Sequence, residues 1–128
     1  MTRILVIEDD DPSLMLAKYL FETAGYHIIT ATTGAEGVQQ ALLHAPDLIL
    51  CDLQLPVFTG YEVRSRLVES PAWRAVPIVA VTAFSMMGDR DEVLAAGFAG
   101  YISKPIDPTT FVAQVREFLR PSGTAASS

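Results

Sequence analysis

Five short apolar runs alternate with helix-forming segments along the chain, and this alternation restricts the possible folds more than any other feature. The runs lie at residues 3–7, 26–31, 48–51, 78–81 and 100–103. Apolar runs of this length, bounded by turn residues, are typical of strands buried on both faces of a sheet. Strands that alternate with helices form a parallel sheet through right-handed crossovers, with helices covering both faces. The pattern therefore predicts one α/β domain of five strands and five helices.

Capping signals mark where the first three helices begin and end. Asp11 can cap the first helix, Pro12 suits its first turn, and Gly25 can close it. Capping-box sequences at 33–36 and 59–62 predict the starts of the second and third helices. The predicted helix positions therefore fit between the predicted strands.

The C-terminal part of the sequence supplies two more helices and a tail. A shorter helix is predicted at about residues 87–96, and Asp107 followed by Pro108 is expected to start the last helix. We see no internal repeat and no second domain in the sequence. We assign residues 1–120 to the domain and expect residues 121–128, which are small and polar, to form a flexible tail or the start of a linker.

Composition excludes several classes of function. The formal net charge is -6 and the nine Lys and Arg residues are scattered, so direct nucleic-acid or anionic-membrane binding through a basic patch is not expected. No apolar stretch is long enough to span a bilayer, and the N-terminus is unlike a signal peptide. Cys51 is the only cysteine, which excludes an internal disulfide and a cysteine-based zinc site. We expect a cytoplasmic protein.

Polar residues follow four of the five predicted strands. The first strand is followed by Glu8 and Asp9, the third by Asp52, the fourth by Thr82 and the fifth by Lys104. The carboxyl ends of parallel strands share one edge of the sheet, where ligands bind at the point at which strand order reverses. We therefore expect three carboxylates, a hydroxyl and an ammonium in one pocket.

Such a pocket is suited to phosphoryl chemistry. Three crowded acids would take up protons unless a cation offsets their charge, and oxygen ligands suit Mg²⁺. An ionised Asp52 could then attack phosphorus, as carboxylates do in forming aspartyl phosphates. The cation, Lys104 and Thr82 could each stabilise one oxygen of the transferred group.

Each of these residues also has a purely structural interpretation. Asp52 can simply start a turn, Glu8 and Asp9 can belong to a solvated charge run at a helix start, and Lys104 can be a surface lysine. Their shared position at one edge of the predicted sheet favours a functional site.

The chain resembles the receiver domain of two-component response regulators. The matching motifs are ILVIEDD at 4–10, DLQLPVFTG at 52–60, VTA at 81–83 and YISKP at 101–105. The resemblance implies a flavodoxin-like (βα)5 three-layer sandwich whose five-stranded parallel sheet has the order 2-1-3-4-5. It also implies a cis peptide bond between Lys104 and Pro105.

The resemblance implies roles for the residues at the sheet edge. Asp52 would accept a phosphoryl group from a phosphohistidine. Glu8 and Asp9 would position Mg²⁺ directly or through water, together with Asp52 and the backbone carbonyl of Gln54. Lys104 would pair with the phosphoryl group.

The resemblance also implies a conformational switch. Thr82 would move toward the phosphoryl group, and Tyr101 would swing inward behind it. Gln54 and Phe84 occupy positions that tune dephosphorylation in relatives, and the bulky Phe84 suggests a shielded, long-lived phosphoryl group. Two departures are Glu8, where Asp is commoner, and Thr59, where an Asp often stands.

The implied partners are a sensor histidine kinase or a histidine phosphotransfer protein, and a downstream protein or fused output domain. The resemblance also suggests a homodimer through the fourth helix, fifth strand and fifth helix. The chain would be a signalling phosphoacceptor that assists its own phosphorylation and dephosphorylation, and not an enzyme with turnover.

Two other functions share part of this pattern. One is a dehalogenase-like Mg²⁺-dependent phosphatase, but that family places its nucleophile after the first strand, with a second Asp where Gln54 stands here. The other is a receiver-like scaffold that is never phosphorylated, against which the complete set of acids, Thr82 and Lys104 argues.

Overall fold

The structure, a computed structural model, describes residues 2–57, 59–71, 76–83 and 87–119, and for 87–90 the backbone alone. Within these residues, five strands and five helices alternate. The strands are β1 (Arg3–Ile7), β2 (His27–Ala31), β3 (Leu48–Cys51), β4 (Ile78–Thr82) and β5 (Gly100–Ser103). The helices are α1 (Asp11–Thr23), α2 (Gly34–His44), α3 (Gly60–Val68), α4 (Met87–Ala95) and α5 (Phe111–Leu119).

All five strands are parallel and lie in the order β2-β1-β3-β4-β5. This order confirms the predicted flavodoxin-like (βα)5 sandwich. The strands are also in register at their carboxyl ends, because Ile7 pairs with Cys51 and Cys51 pairs with Ala80. Residues that directly follow β1 and β3 are therefore held side by side.

Side chains of the sheet alternate between two apolar layers. One layer lies between the sheet and α2, α3 and α4. Its fully buried members include Leu5 and Ile49 from the sheet and Val63, Leu67 and Val93 from the helices. The other layer lies between the sheet and α1 and α5. Its members include Ile4 and Leu50 from the sheet and Phe21, Phe111 and Val115 from the helices. The strands are thus buried on both faces, as their continuous apolar runs predicted.

The capping residues of three helices are visible. Thr33 and Thr59 cap α2 and α3, each accepting a hydrogen bond from the backbone N–H three residues on. The prediction that Asp11 caps α1 was wrong. Asp11 is the first helical residue, and Asp10, in extended conformation, accepts the hydrogen bond from the Ser13 N–H at 3.0 Å.

Four described residues have a left-handed backbone, and one of them, Gly97, has φ of 102° just after α4. Gly25, with φ of 96°, follows the end of α1 as predicted. Ala45, with φ of 49°, ends α2. Val57, with φ of 68°, is a β-branched residue in a conformation that such residues rarely adopt, and it is 93% exposed. Its backbone is therefore strained and its side chain gains little from packing.

Within the described ranges, no helix combines the length and apolar character needed to cross a membrane. Phe84 and residues 120–128 lie outside the described residues. The predictions about a shielded phosphoryl group and about a flexible tail or linker, with a domain boundary at residue 120, therefore stay predictions.

Candidate functional site

Three carboxylates meet at the carboxyl edge of the sheet. Glu8 directly follows β1 and Asp52 directly follows β3, so the parallel register places them on neighbouring strands. Both are buried, with 5% of their surface exposed, whereas Asp9 is exposed. One oxygen from each of the three lies within 4.8 Å of the others. The sequence-based prediction that these acids converge agrees with this geometry.

Lys104 reaches the same cluster from β5. Its Nζ lies 2.9 Å from Asp52 Oδ2 and 2.5 Å from Glu8 Oε1. The backbone N–H of Lys104 donates to the carbonyl of Thr82 at 2.8 Å, and the peptide bond to Pro105 is cis. One ammonium is therefore shared by two buried carboxylates that lie 44 residues apart in the sequence.

The remaining oxygens of these carboxylates accept backbone hydrogen bonds. The Asp10 N–H donates to Glu8 Oε2 at 3.1 Å, and the Gln54 N–H donates to Asp52 Oδ1 at 2.9 Å. Each buried carboxylate thus has one oxygen on a backbone N–H and the other on the ammonium of Lys104. These charge-assisted bonds hold both side chains in one orientation.

Burial and pairing shift the pKa values in the cluster. Burial raises the pKa of Glu8, hydrogen bonds from Lys104 and the Asp10 N–H oppose this, and the nearby charge of Asp52 adds to it. Burial alone would lower the pKa of Lys104, but its hydrogen bonds to Glu8 and Asp52 outweigh that effect and raise it. Lys104 is therefore held in its charged form.

Thr82 ends β4 and is fully buried. Its Oγ1 has no hydrogen-bond partner among the residues that the structure describes. A buried hydroxyl without a partner costs about 1–3 kcal/mol, so native structures rarely keep one without a reason. Thr82 is thus the one buried site residue whose polar group is still unsatisfied within the described part of the chain.

Tyr101 lies on β5, paired in register with Ala80. It is half-buried and packs against the apolar layer that contacts α2, α3 and α4. It is the second residue of β5, three residues before Lys104. Its predicted inward swing stays a prediction.

Two features of the site were missed by the sequence reasoning. Gly60 begins α3, and a Cβ built on it would lie 2.7 Å from the carbonyl oxygen of Asp52 and 2.9 Å from Leu53 Cα. Glycine directly after a capping Thr was a possible signal, but it was interpreted only as part of a capping box. The contact between Glu8 and Lys104 was also missed, because sequence alone does not show how far a side chain reaches.

Cys51 lies beside the site without taking part in it. It is fully buried in β3, and burial strongly raises the pKa of its thiol, with the charges of Asp52 and Glu8 adding to the effect. A protonated, inaccessible thiol is unreactive. Cys51 therefore contributes to core packing and not to the chemistry of the site.

The donor set of the cluster fits a hard divalent cation. All three converging ligands are carboxylate oxygens, and one of them, from Asp9, is on the exposed side. Mg²⁺ prefers oxygen ligands and usually keeps several waters, which an exposed ligand permits. Glu8, Asp9 and Asp52 could therefore hold Mg²⁺ at this edge of the sheet.

Comparison with known protein families agrees with the resemblance found in the sequence motifs. Residues 4–116 match the response regulator receiver domain family, which is most of the chain. The chain therefore belongs to the response regulator receiver domain family, and the resemblance drawn from the sequence motifs is confirmed. The family acts in two-component signalling.

Individual relatives are similar to the chain over most of its length. The chain is 38% identical over 116 residues to the polar-differentiation response regulator DivK of Brucella ovis, covering 91% of this chain and 94% of that protein. Among solved structures it is similar to the chemotaxis response regulator CheY4 of Vibrio cholerae, with a TM-score of 0.87, 25% identity and coverage of 92% of this chain and 98% of that one. A receiver domain protein from Methanospirillum hungatei matches with a TM-score of 0.83, 26% identity and coverage of 100% and 99%.

Proposed function

We propose that Asp52 is the phosphoacceptor of this receiver domain. Its carboxylate would attack the phosphorus of a phosphohistidine on a histidine kinase or a histidine phosphotransfer protein. The new O–P bond forms as the N–P bond breaks, and the imidazole nitrogen keeps the electron pair. The observation that supports this assignment best is the position of Asp52 Oδ2, 2.9 Å from Lys104 Nζ and beside two further acids.

The surrounding residues would prepare Asp52 for this reaction. The Gln54 N–H fixes one oxygen of Asp52, which leaves the other directed at Lys104. The ammonium of Lys104 already contacts Asp52 Oδ2. It would therefore stabilise the negative charge of the phosphoryl group once that group is bound to Asp52. Glu8, Asp9 and the carbonyl of Gln54 would help to hold Mg²⁺, which neutralises charge on phosphoryl oxygens when bound.

Thr82 would respond to phosphorylation of Asp52. Its buried hydroxyl has no partner among the described residues, so a phosphoryl oxygen would satisfy it. A hydrogen bond made only in the phosphorylated form is a differential contact, which is what shifts a two-state equilibrium. Tyr101, on the neighbouring strand β5, would move inward as Thr82 moves away.

The response would be a change in partner binding and not turnover of a substrate. The chain would assist its own phosphorylation and dephosphorylation through Lys104 and the bound cation. A dehalogenase-like phosphatase is disfavoured because Asp52 follows β3 and Gln54 stands where that family has a second acid. An unphosphorylated scaffold is disfavoured because the acids and Lys104 are assembled in contact.

The partners would be those of the family. They comprise a sensor histidine kinase or histidine phosphotransfer protein and a downstream protein or fused output domain. A homodimer through α4, β5 and α5 and a cytoplasmic location both remain predictions.

Phosphorylation by a small molecule tests the assignment without knowledge of the kinase. Incubation with Mg²⁺ and a small acyl phosphate, followed by intact mass measurement, should add one phosphoryl group to the wild type and none to Asp52→Asn. Asp91→Asn, a matched change on the exposed surface of α4, should be labelled like the wild type. Labelling of Asp52→Asn, or none of the wild type, would reject Asp52 as the acceptor.

A further inference from the structure

The ammonium of Lys104 occupies the gap between the two buried acids of the cluster. Its Nζ contacts Glu8 Oε1 at 2.5 Å and Asp52 Oδ2 at 2.9 Å. These are two of the three carboxylates whose oxygens converge at the candidate cation site. Lys104 is therefore already bound to the groups that a divalent cation would use.

The length of Glu8 makes this contact possible. Its carboxylate is anchored at Oε2 by the Asp10 N–H, and this leaves Oε1 for Lys104. An aspartate at position 8 would end one C–C bond earlier, or about 1.5 Å closer to β1. The shorter side chain would leave Lys104 with Asp52 as its main partner.

Lys104 and a divalent cation would be in conflict at this site. Three carboxylates and one ammonium leave two net negative charges, which a divalent cation would balance. A cation bound to Glu8 and Asp52 would nevertheless lie next to the ammonium, and like charges repel strongly where water is excluded. Entry of the cation therefore requires Lys104 to give up Glu8, Asp52 or both.

We propose that Lys104 is an internal competitor for the divalent cation, and that Glu8, through its length, sets how strongly it competes. This inference rests on the cation site described under the proposed function. Glu8 is then a residue that lowers cation affinity through its contact with Lys104 while also serving as a ligand. An aspartate in its place would bind the cation more tightly because the competitor is held less firmly.

A double-mutant cycle tests this proposal by calorimetric titration of MgCl₂ into the unphosphorylated protein. Glu8→Asp should bind Mg²⁺ about threefold or more tightly than the wild type, which lies within the range of coupling measured for side chains in contact. Lys104→Met, which removes the charge and keeps most of the unbranched apolar side chain, should also bind more tightly. Glu8→Asp should then give less than about a twofold further gain in the Lys104→Met background.

A matched control separates competition from a simple change of net charge. Lys18→Met removes one positive charge from the exposed surface of α1, where Lys18 pairs with Glu22 at 3.7 Å. It should leave Mg²⁺ affinity within about twofold, because exposed charges at a distance are screened. If Lys104→Met does not fold, as judged by circular dichroism, Lys104→Gln replaces it because it also removes the charge but keeps a polar hydrogen-bonding group.

Several results would overturn the proposal. Equal or weaker Mg²⁺ binding by Glu8→Asp would show that Glu8 does not strengthen a competitor. An undiminished gain from Glu8→Asp in the Lys104→Met background would assign the gain to ligand geometry and not to Lys104. Acyl phosphate labelling of Asp52 is measured separately, so a chain that is not labelled but follows the cycle would refute only the proposed function.

Discussion

The carbonyl oxygen of Asp52 lies 2.7 Å from the point where a Cβ on Gly60 would be, so the first residue of α3 is packed directly against the peptide of Asp52. The Gly60 N–H also donates to the Leu53 carbonyl at 3.1 Å. Helix α3 and the proposed phosphoacceptor are thus positioned by a backbone contact that only glycine permits.

Gly60→Ala should destabilise the protein and disturb the site. The neighbouring atoms include backbone and cannot move aside as a flexible side chain would, so we expect a loss of about 2 kcal/mol in unfolding free energy. Urea denaturation measures this loss, with exposed Ser65→Ala on α3 as the control that should change it by less than about 0.5 kcal/mol. An unchanged midpoint for Gly60→Ala would contradict the close contact.

Val57→Asn should stabilise the protein. Val57 has φ of 68° and is 93% exposed, so the substitution relieves backbone strain and loses little packing. We expect a gain of about 1 kcal/mol in unfolding free energy, since Asn tolerates this region better than a β-branched residue. Val57→Thr keeps the branch and should show no such gain in thermal or urea unfolding. Equal stability of the Asn and Thr variants would show that strain is absent.

Thr82→Val should stabilise the unphosphorylated protein and weaken its response. The hydroxyl it removes is buried without a partner among the described residues, so unfolding free energy should rise by about 1 kcal/mol. Thr82→Ser keeps the hydroxyl but loses a methyl group, so its unfolding free energy should fall by about 1 kcal/mol. Urea denaturation distinguishes the two, and a Val variant less stable than the wild type would mean that the hydroxyl has a partner in solution.

Asp107 should contribute pH-dependent stability. Its Oδ1 accepts from the Thr109 hydroxyl at 2.7 Å and the Thr109 N–H at 3.0 Å, and these bonds lower its pKa below 3.8. A carboxyl with a lowered folded pKa contributes stability above its unfolded pKa and loses it as pH falls through the folded value.

Asp107→Asn resembles the protonated form, so its stability deficit should be full at pH 7 and shrink as pH falls below 3.8. Urea denaturation of both proteins from pH 7 to pH 3 measures the deficit. Thr109→Val, which lacks the donor hydroxyl, should flatten the dependence. A stability deficit that stays constant with pH would show that ionisation of Asp107 does not stabilise the folded protein.

The fold and most of the site could be predicted because local sequence patterns determine them. Continuous apolar runs identified strands buried on both faces, and the parallel order placed the residues after them at one edge. Glu8, Asp52 and Lys104 were found in this way, since each directly follows a strand. Their common position at one edge of the sheet could be predicted without knowledge of their side-chain conformations.

Other features depend on distances that local patterns do not contain. The Glu8 to Lys104 contact depends on side-chain length, and the closeness of Gly60 to Asp52 depends on how α3 packs. In a run of adjacent acids, either Asp10 or Asp11 could cap α1, and only the path of the chain decides between them. The roles of Thr82 and Tyr101 concern a second conformation, which a single sequence pattern does not describe.

Lys104 comes from the last strand, 52 residues after Asp52, and this separation matters during synthesis. The ribosome releases both buried acids and their strands well before the lysine that neutralises them. A chain that ends before β5, through early termination or cleavage, would leave Glu8 and Asp52 repelling each other without their shared cation. Truncated products would therefore lack the ion pairs that hold these two buried carboxylates in place.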